Sequence, residues 1–303
     1  MTSTYIPAFT LEPQKRTVEK NPAPAVRTPR FIDDVAAGRV QLPTIPRVVQ
    51  RIIAALRDPD VDARKVGDTL SQDPVLSAKV LRVANSSFFG GARSMASIDA
   101  AIAMIGMQAL NKLIVACGVS SSFNDVPGID LRVFWRDALV AATAAHQLAS
   151  VLGADPDEAY VCGLLHASGH LILCQSYPDI AQAMFAGFEV VRGAELAAIE
   201  VQAFGIDHPE VGALWVQSLG FPLGVADTIG QSAVPPADGD GQLTLTLRSA
   251  CALAAAVAQQ AAPDAALAAL PPSVRQRFSA PTGAPAPAFV ALYDTLQKTE
   301  PAL

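Results

Sequence analysis

Four histidines, His146, His166, His170 and His208, are the side chains of this chain with the widest chemical reach. An imidazole binds metals and moves protons near neutral pH. His166 and His170 stand four apart, a spacing that places both on one face of a helix. With Asp137 brought across from another element, they would form a set of two nitrogens and one carboxylate able to hold a divalent cation. Such a cation lowers the pKa of a bound water and neutralises phosphoryl charge, which is the chemistry of phosphate-ester hydrolysis. The stretch around these histidines is apolar nearly all round, so any polar group there needs a partner. An Asp137–His166 pair would provide one without any metal.

Other chemistries find less support. No histidine is followed by aspartate; the next residues are Gln147, Ala167, Leu171 and Pro209. Ser168 beside His166 is not on a nucleophile elbow, and no glycine-rich phosphate loop follows a strand pattern. Cys117, Cys162, Cys174 and Cys251 form no Cys-x-x-Cys pair. Each lies in an apolar helical stretch and reads as a reduced, buried thiol. A second group of candidates, for binding rather than catalysis, surrounds Asn85. Phe88 and Phe89 precede Gly90-Gly91, an aromatic pair beside flexible backbone. Arg82 and Arg93 flank the pair with positive charge, suited to a protein surface or a small anionic ligand. Packing of the two rings between helices, with Lys79 and Arg82 on a solvated helix face, accounts for the same residues without a ligand.

The elements that must position these groups are helical. Asp73-Pro74 combines an N-cap with proline at the first helical position, and Asp155-Pro156 repeats it. The first predicts a helix through Val75, Leu76, Val80, Leu81 and Val83 to Asn85; the second predicts one running to about Ser176. Ser97 caps a long helix with the stripe Ile98, Ile102, Ile105, Leu113 and Cys117. An alanine-rich helix is expected near Leu131–Leu152. Asp207 with Glu210 resembles a capping box before Val211, and Phe221-Pro222 opens another short helix. Beyond a loop near 235–241 follow an alanine-rich helix over 243–262 and a last one near Phe289–Leu296. No alternating strand pattern appears. The fold class is all-α, a helical bundle with a helical C-terminal extension.

Composition bounds the rest. Of 303 residues, 51% are hydrophobic and 17% charged, enough apolar material for a sizeable core. The net charge of −6 argues against a nucleic-acid partner. Residues 1–30 carry five prolines and a local charge of +3, and read as a disordered basic tail. No basic segment leads into an apolar one at the start, so no signal peptide is expected and the location is cytoplasmic. The uncharged stretch Ala159–Pro178 is as long as a membrane span. Its two histidines and its glycine and serine breaks make it a core helix instead.

The order of several short motifs then becomes specific. Leu42-Pro43-Thr44-Ile45-Pro46, Asp73-Pro74-Val75-Leu76 and Asn85-Ser86-Ser87-Phe88-Phe89-Gly90 are followed by Ser97-Ile98 and Ile105-Gly106. Phe134-Trp135-Arg136, Gly163-Leu164-Leu165-His166, and Phe204-Gly205-Ile206-Asp207-His208 with Val211-Gly212 complete the series. Over about residues 38–232 this resembles the HDOD domain, a relative of the HD metal-dependent phosphohydrolases. The resemblance implies an all-helical domain, bounded at 31–235, and a role in bacterial signal transduction; the composition shift after Val234 leaves 236–303 as a C-terminal helical extension. It implies partners among other signalling proteins, without a cofactor and in most members without catalysis; a homo-oligomer is left open. The first 30 residues are too few for a receiver domain, so a stand-alone protein is expected. An HD hydrolase needs a histidine, an adjacent His-Asp pair and a further aspartate. By this resemblance the first histidine is Asp137, the pair is His166-Ala167, and the polar residue after it is His170. The expectation is a non-catalytic binding module with a vestigial site. The alternatives are a phosphohydrolase with the altered set Asp137, His166 and His170, or a sensor of a small anion near Arg82, Arg93 and Phe88.

Overall fold

The computed structural model describes residues 31–46, 49–50, 70, 73–85, 95–185 and 192–299. The basic tail and the candidates Phe88, Phe89 and Arg93 lie outside the described residues. Fourteen helices are described: α1 (Phe31–Ala36), α2 (Pro74–Ala84), α3 (Ile98–Ser120), α4 (Leu131–Leu152), α5 (Pro156–Leu165), α6 (Ser168–Ser176), α7 (Pro178–Phe185), α8 (Gly193–Phe204), α9 (His208–Ser218), α10 (Leu223–Gly230), α11 (Gln242–Ala258), α12 (Pro263–Ala268), α13 (Pro272–Phe278) and α14 (Pro287–Gln297). Among the described residues there is no strand, only one isolated bridge between Ser279 and Pro285.

The caps read from the sequence form as expected. Asp73 Oδ1 accepts from Leu76 N, Asp155 Oδ1 from Asp157 N and Glu158 N, and Asp207 Oδ1 from Glu210 N. Each satisfies backbone donors that have no partner inside the helix.

Two long helices differ from the expectation. α3 is broken at Gly106, whose φ of 81° lies outside helical space. Glycine adopts it without the clash a Cβ would bring, and the two halves meet at 114°. The second half, with Leu110, Leu113, Ile114 and Cys117, runs through the core. No single helix among the described residues is long and apolar enough to cross a membrane.

The helix expected from Asp155 to Ser176 is two helices, interrupted at His166-Ala167. Its glycines are pulled onto different neighbours. A Cβ on Gly163 would stand 2.6 Å from Ala142 Cα of α4, while one on Gly169 would overlap the His208 carbonyl oxygen and stand 2.6 Å from Gly212 N of α9. Close backbone contact with α4 and with α9 is met by bending the chain between them. His166 and His170 therefore do not share one helix face.

Trp135 and Trp215 are both buried against Phe123, with ring centroids 6.1 and 5.7 Å from it. Trp215 also donates through Nε1 to the Pro43 carbonyl at 2.8 Å, anchoring the Leu42–Pro46 segment on α9. The C-terminal extension packs on α4. Val140, Ala141, Ala144 and Leu148 form a second core with Leu253 of α11, Leu267, Phe278, and Phe289 and Tyr293 of α14. α4 thus lies between two apolar layers, which accounts for its alanines: small side chains let helices approach from both sides.

Candidate functional site

The candidate site begins at Asp137 on α4. Its Oδ1 accepts from Arg136 Nη2 at 2.9 Å, and its Oδ2 forms an ion pair with Arg192 Nη2 at 2.7 Å. Arg192 is the N-cap residue of α8. Asp137 is thus engaged by two guanidiniums, and no hydrogen bond joins it to His166. The Asp137–His166 pair that the sequence allows does not form: the bend after Leu165 turns His166 Nδ1 onto the Gly163 carbonyl, to which it donates at 2.8 Å. That bond fixes the tautomer and leaves the Nε2 lone pair available. Burial pushes the proton affinity of His166 down to about 4, against the Gly163 hydrogen bond. The charges on His208, Asp137 and Arg192 act more weakly.

His170 takes part in a different arrangement. Its Nδ1 donates to Glu200 Oε1 at 2.5 Å, and His208 Nδ1 donates to Glu200 Oε2 at 2.5 Å. The same Oε2 accepts from the His208 backbone N at 2.8 Å. Cys174 Sγ lies 3.8 Å from His170 Nε2, one helical turn on. Glu200 is fully buried and both histidines nearly so. Burial alone would raise the Glu200 carboxyl, but the two imidazole hydrogen bonds outweigh it and hold the group at about 2. The network joins α6, α8 and the start of α9.

Sequence reasoning missed Glu200 altogether. The usable signal was its place eight residues before His208: a glutamate in the row Ala197, Glu200, Phe204, which is the face α8 buries. A lone acid on an otherwise apolar stripe needs a buried partner. His146, the remaining histidine, donates through Nδ1 to Pro156 O at 3.0 Å. Lys112 Nζ lies 3.1 Å from both its Nε2 and Asp157, clamping α3, α4 and α5.

An HD-type metal centre does not fit the residues present. Ala167 offers no donor where the carboxylate of the pair would be, Asp137 is held by two guanidiniums, and His170 faces Glu200. Among the described residues, no group of three or more His, Cys, Asp or Glu side chains is placed to hold a metal ion.

Of the second group of candidates, Asn85 is at the C-cap of α2. Its Nδ2 donates to Met95 O at 2.9 Å and its Oδ1 accepts from Met95 N at 2.6 Å, joining the two ends of the segment that holds Phe88 and Phe89. Arg82 is exposed. Lys79 is not on a solvated face: it is half-buried and donates to Ser120 Oγ at 2.7 Å at the C-terminus of α3. An ammonium there complements the helix dipole. The four cysteines are free thiols, three buried and Cys251 partly so; burial pushes Cys117 and Cys251 up to about 12 and the other two higher, so none has thiolate character.

The helix order, the break at His166-Ala167 and the motifs on either side define a helical domain of the HD type. The sequence profile of the HDOD domain matches residues 42–235, and the chain belongs to that family. A crystal structure of a Shewanella amazonensis protein, provisionally described as a phosphohydrolase, superposes with a TM-score of 0.68 at 28% identity, covering 89% of this chain and 94% of that one. An HDOD domain protein of unknown function from Geobacter sulfurreducens gives 0.68 at 23% identity, covering 88% and 96%. An uncharacterized protein of Treponema pallidum is 24% identical over 217 residues, covering 71% of this chain but only 42% of that longer protein.

Proposed function

We propose that this protein is a non-catalytic regulatory module of bacterial signal transduction that acts by binding other proteins. The observation that carries the reading is the state of Asp137. Among the described residues, the carboxylate whose charge His166 feels has both oxygens ion-paired, one to Arg136 and the other to Arg192, and the residue after His166 is Ala167. Metal-assisted hydrolysis of the HD type needs an unengaged ligand at the first place and a carboxylate at the second, to fix the ion and to bridge it to a water. The fold retains the framework of the HD class and spends its polar side chains on joining helices. A regulatory role follows from family membership, and a net charge of −6 disfavours nucleic acid as the partner.

The direct test is turnover. Full-length protein, supplied separately with Mn2+, Fe2+ and Mg2+, is assayed on phosphomonoesters, nucleotides and cyclic dinucleotides beside D137N and H166A. The expected result is no metal-dependent rate above that of the variants. A rate that vanishes in D137N or H166A would replace this reading with that of a phosphohydrolase.

A further inference from the structure

The two guanidiniums on Asp137 are not equivalent. Arg136 is its sequence neighbour on α4, so their 2.9 Å contact requires no tertiary structure. Arg192 arrives from the beginning of α8, and its 2.7 Å contact does. As the N-cap residue Arg192 makes no side-chain capping bond; its side chain reaches to α4 instead. α8 buries only Ala197, Glu200 and Phe204, a narrow apolar stripe for twelve residues. Polar contacts hold it at two places: Arg192–Asp137 at the start, and Glu200 with His170 and His208 two turns later. His166 is near enough to feel the charges of both Asp137 and Arg192, and its Nδ1 is committed to Gly163. One carboxylate and one imidazole thus share their surroundings with a cation, and that cation is an arginine.

We propose that Arg192 is the resident cation of this side-chain group: its guanidinium gives Asp137 the compensating charge that a divalent ion gives an HD hydrolase, and it thereby fastens the first turn of α8 to α4. The inference rests on the non-catalytic reading and extends it by naming what stands in the electrostatic place of the metal. A guanidinium is always charged and forks onto a carboxylate, so it supplies attraction and orientation. It has no open coordination position and activates no water, so it supplies these without hydrolytic chemistry.

The test is charge reversal in the full-length chain. R192E sets a second carboxylate against Asp137, and the melting temperature is expected to fall by several degrees. Millimolar MnCl2 is expected to restore most of that loss while leaving the wild type unmoved. Titration followed by the free Mn2+ electron paramagnetic resonance signal is expected to show about tenfold tighter binding by R192E than by wild type, a 1.4 kcal/mol change. R192E/D137N is expected to lose the Mn2+ response. Should R192E fail to fold, R192Q carries the test: its lowered melting temperature is expected to vanish as a separate effect in the D137N background.

A charge reversal that Mn2+ does not rescue, or an R192Q variant as stable as wild type and additive with D137N, overturns the assignment while the wild type stays metal-free and inactive. A wild type that binds Mn2+ stoichiometrically through Asp137 and turns over a phosphoester overturns both this inference and the reading beneath it.

Discussion

Glu200 Oε2 accepts two hydrogen bonds from His208, one from the ring Nδ1 at 2.5 Å and one from the backbone N at 2.8 Å. The side chain thereby anchors α8 and satisfies a backbone donor at the start of α9 as well. Truncation would bury the partners of a carboxylate without the carboxylate. E200A is expected to cost about 3 kcal/mol, because two imidazole N–H groups and a backbone N–H would be left buried without an acceptor. E200Q, which keeps the shape and some hydrogen bonds, is expected to cost less. Urea denaturation at neutral pH reads both. Because the folded carboxyl sits at about 2 against about 4.3 unfolded, its contribution is full above pH 4.3 and lost as pH falls toward 2.

His166 gives stability a second pH dependence with its own window. The folded imidazole is held down to about 4 by burial, whereas the unfolded one titrates near 6.5. Between these values the unfolded chain binds the extra proton, so stability is full above pH 6.5 and declines as pH falls toward 4. The difference in unfolding free energy between wild type and H166Q is expected to shrink by about 2 kcal/mol over that interval. Denaturation curves at a series of pH values check it; parallel curves would contradict it.

The contact between α6 and α9 depends on Gly169. An added Cβ would overlap the His208 carbonyl, so G169A must separate two helices and disturb the His170–Glu200–His208 network with them. The expected cost is about 3 kcal/mol, at the upper end for overpacked cores. G224A is the control. Nothing lies within 4 Å of a Cβ there, and Gly224 is in the first turn of α10, so the change is expected to be neutral or to stabilise by about 0.5 kcal/mol. Thermal melts of the two variants side by side decide the point.

The architecture was legible in the sequence because local signals agreed with the fold. Asp73-Pro74, Ser97, Asp155-Pro156 and Asp207 each cap the helix they announce, and family resemblance rested on motifs placed between those caps. What the sequence hid were features set by distant backbone. The bend at His166-Ala167 arises because Gly163 must meet α4 and Gly169 must meet α9, which periodicity does not record. Without the bend, His166 and His170 read as one face, and His170 falls with Asp137 rather than with Glu200. Arg192 and Glu200 carry little sequence signal for the same reason: α8 has little apolar pattern, and its polar residues acquire meaning only once α4, α6 and α9 surround them.

The C-terminal extension is expected to be indispensable although the family profile stops at residue 235. Ending the chain there would expose Val140, Ala144 and Leu148 of α4, now covered by α11 and α14. An apolar face of that length in water favours aggregation. Expression of residues 1–235 is expected to give insoluble protein, against soluble full-length chain; a soluble, cooperatively melting fragment would show that α4 does not need its second layer.

The central claim is that the HD framework persists here without its metal chemistry. Metal content of the purified, untagged protein, after growth with added iron and manganese, tests this most directly. The expected result is far less than one metal ion per folded chain, unchanged in H166A. Near-stoichiometric iron or manganese that disappears in H166A would contradict the account and return the site to the metal-dependent hydrolases.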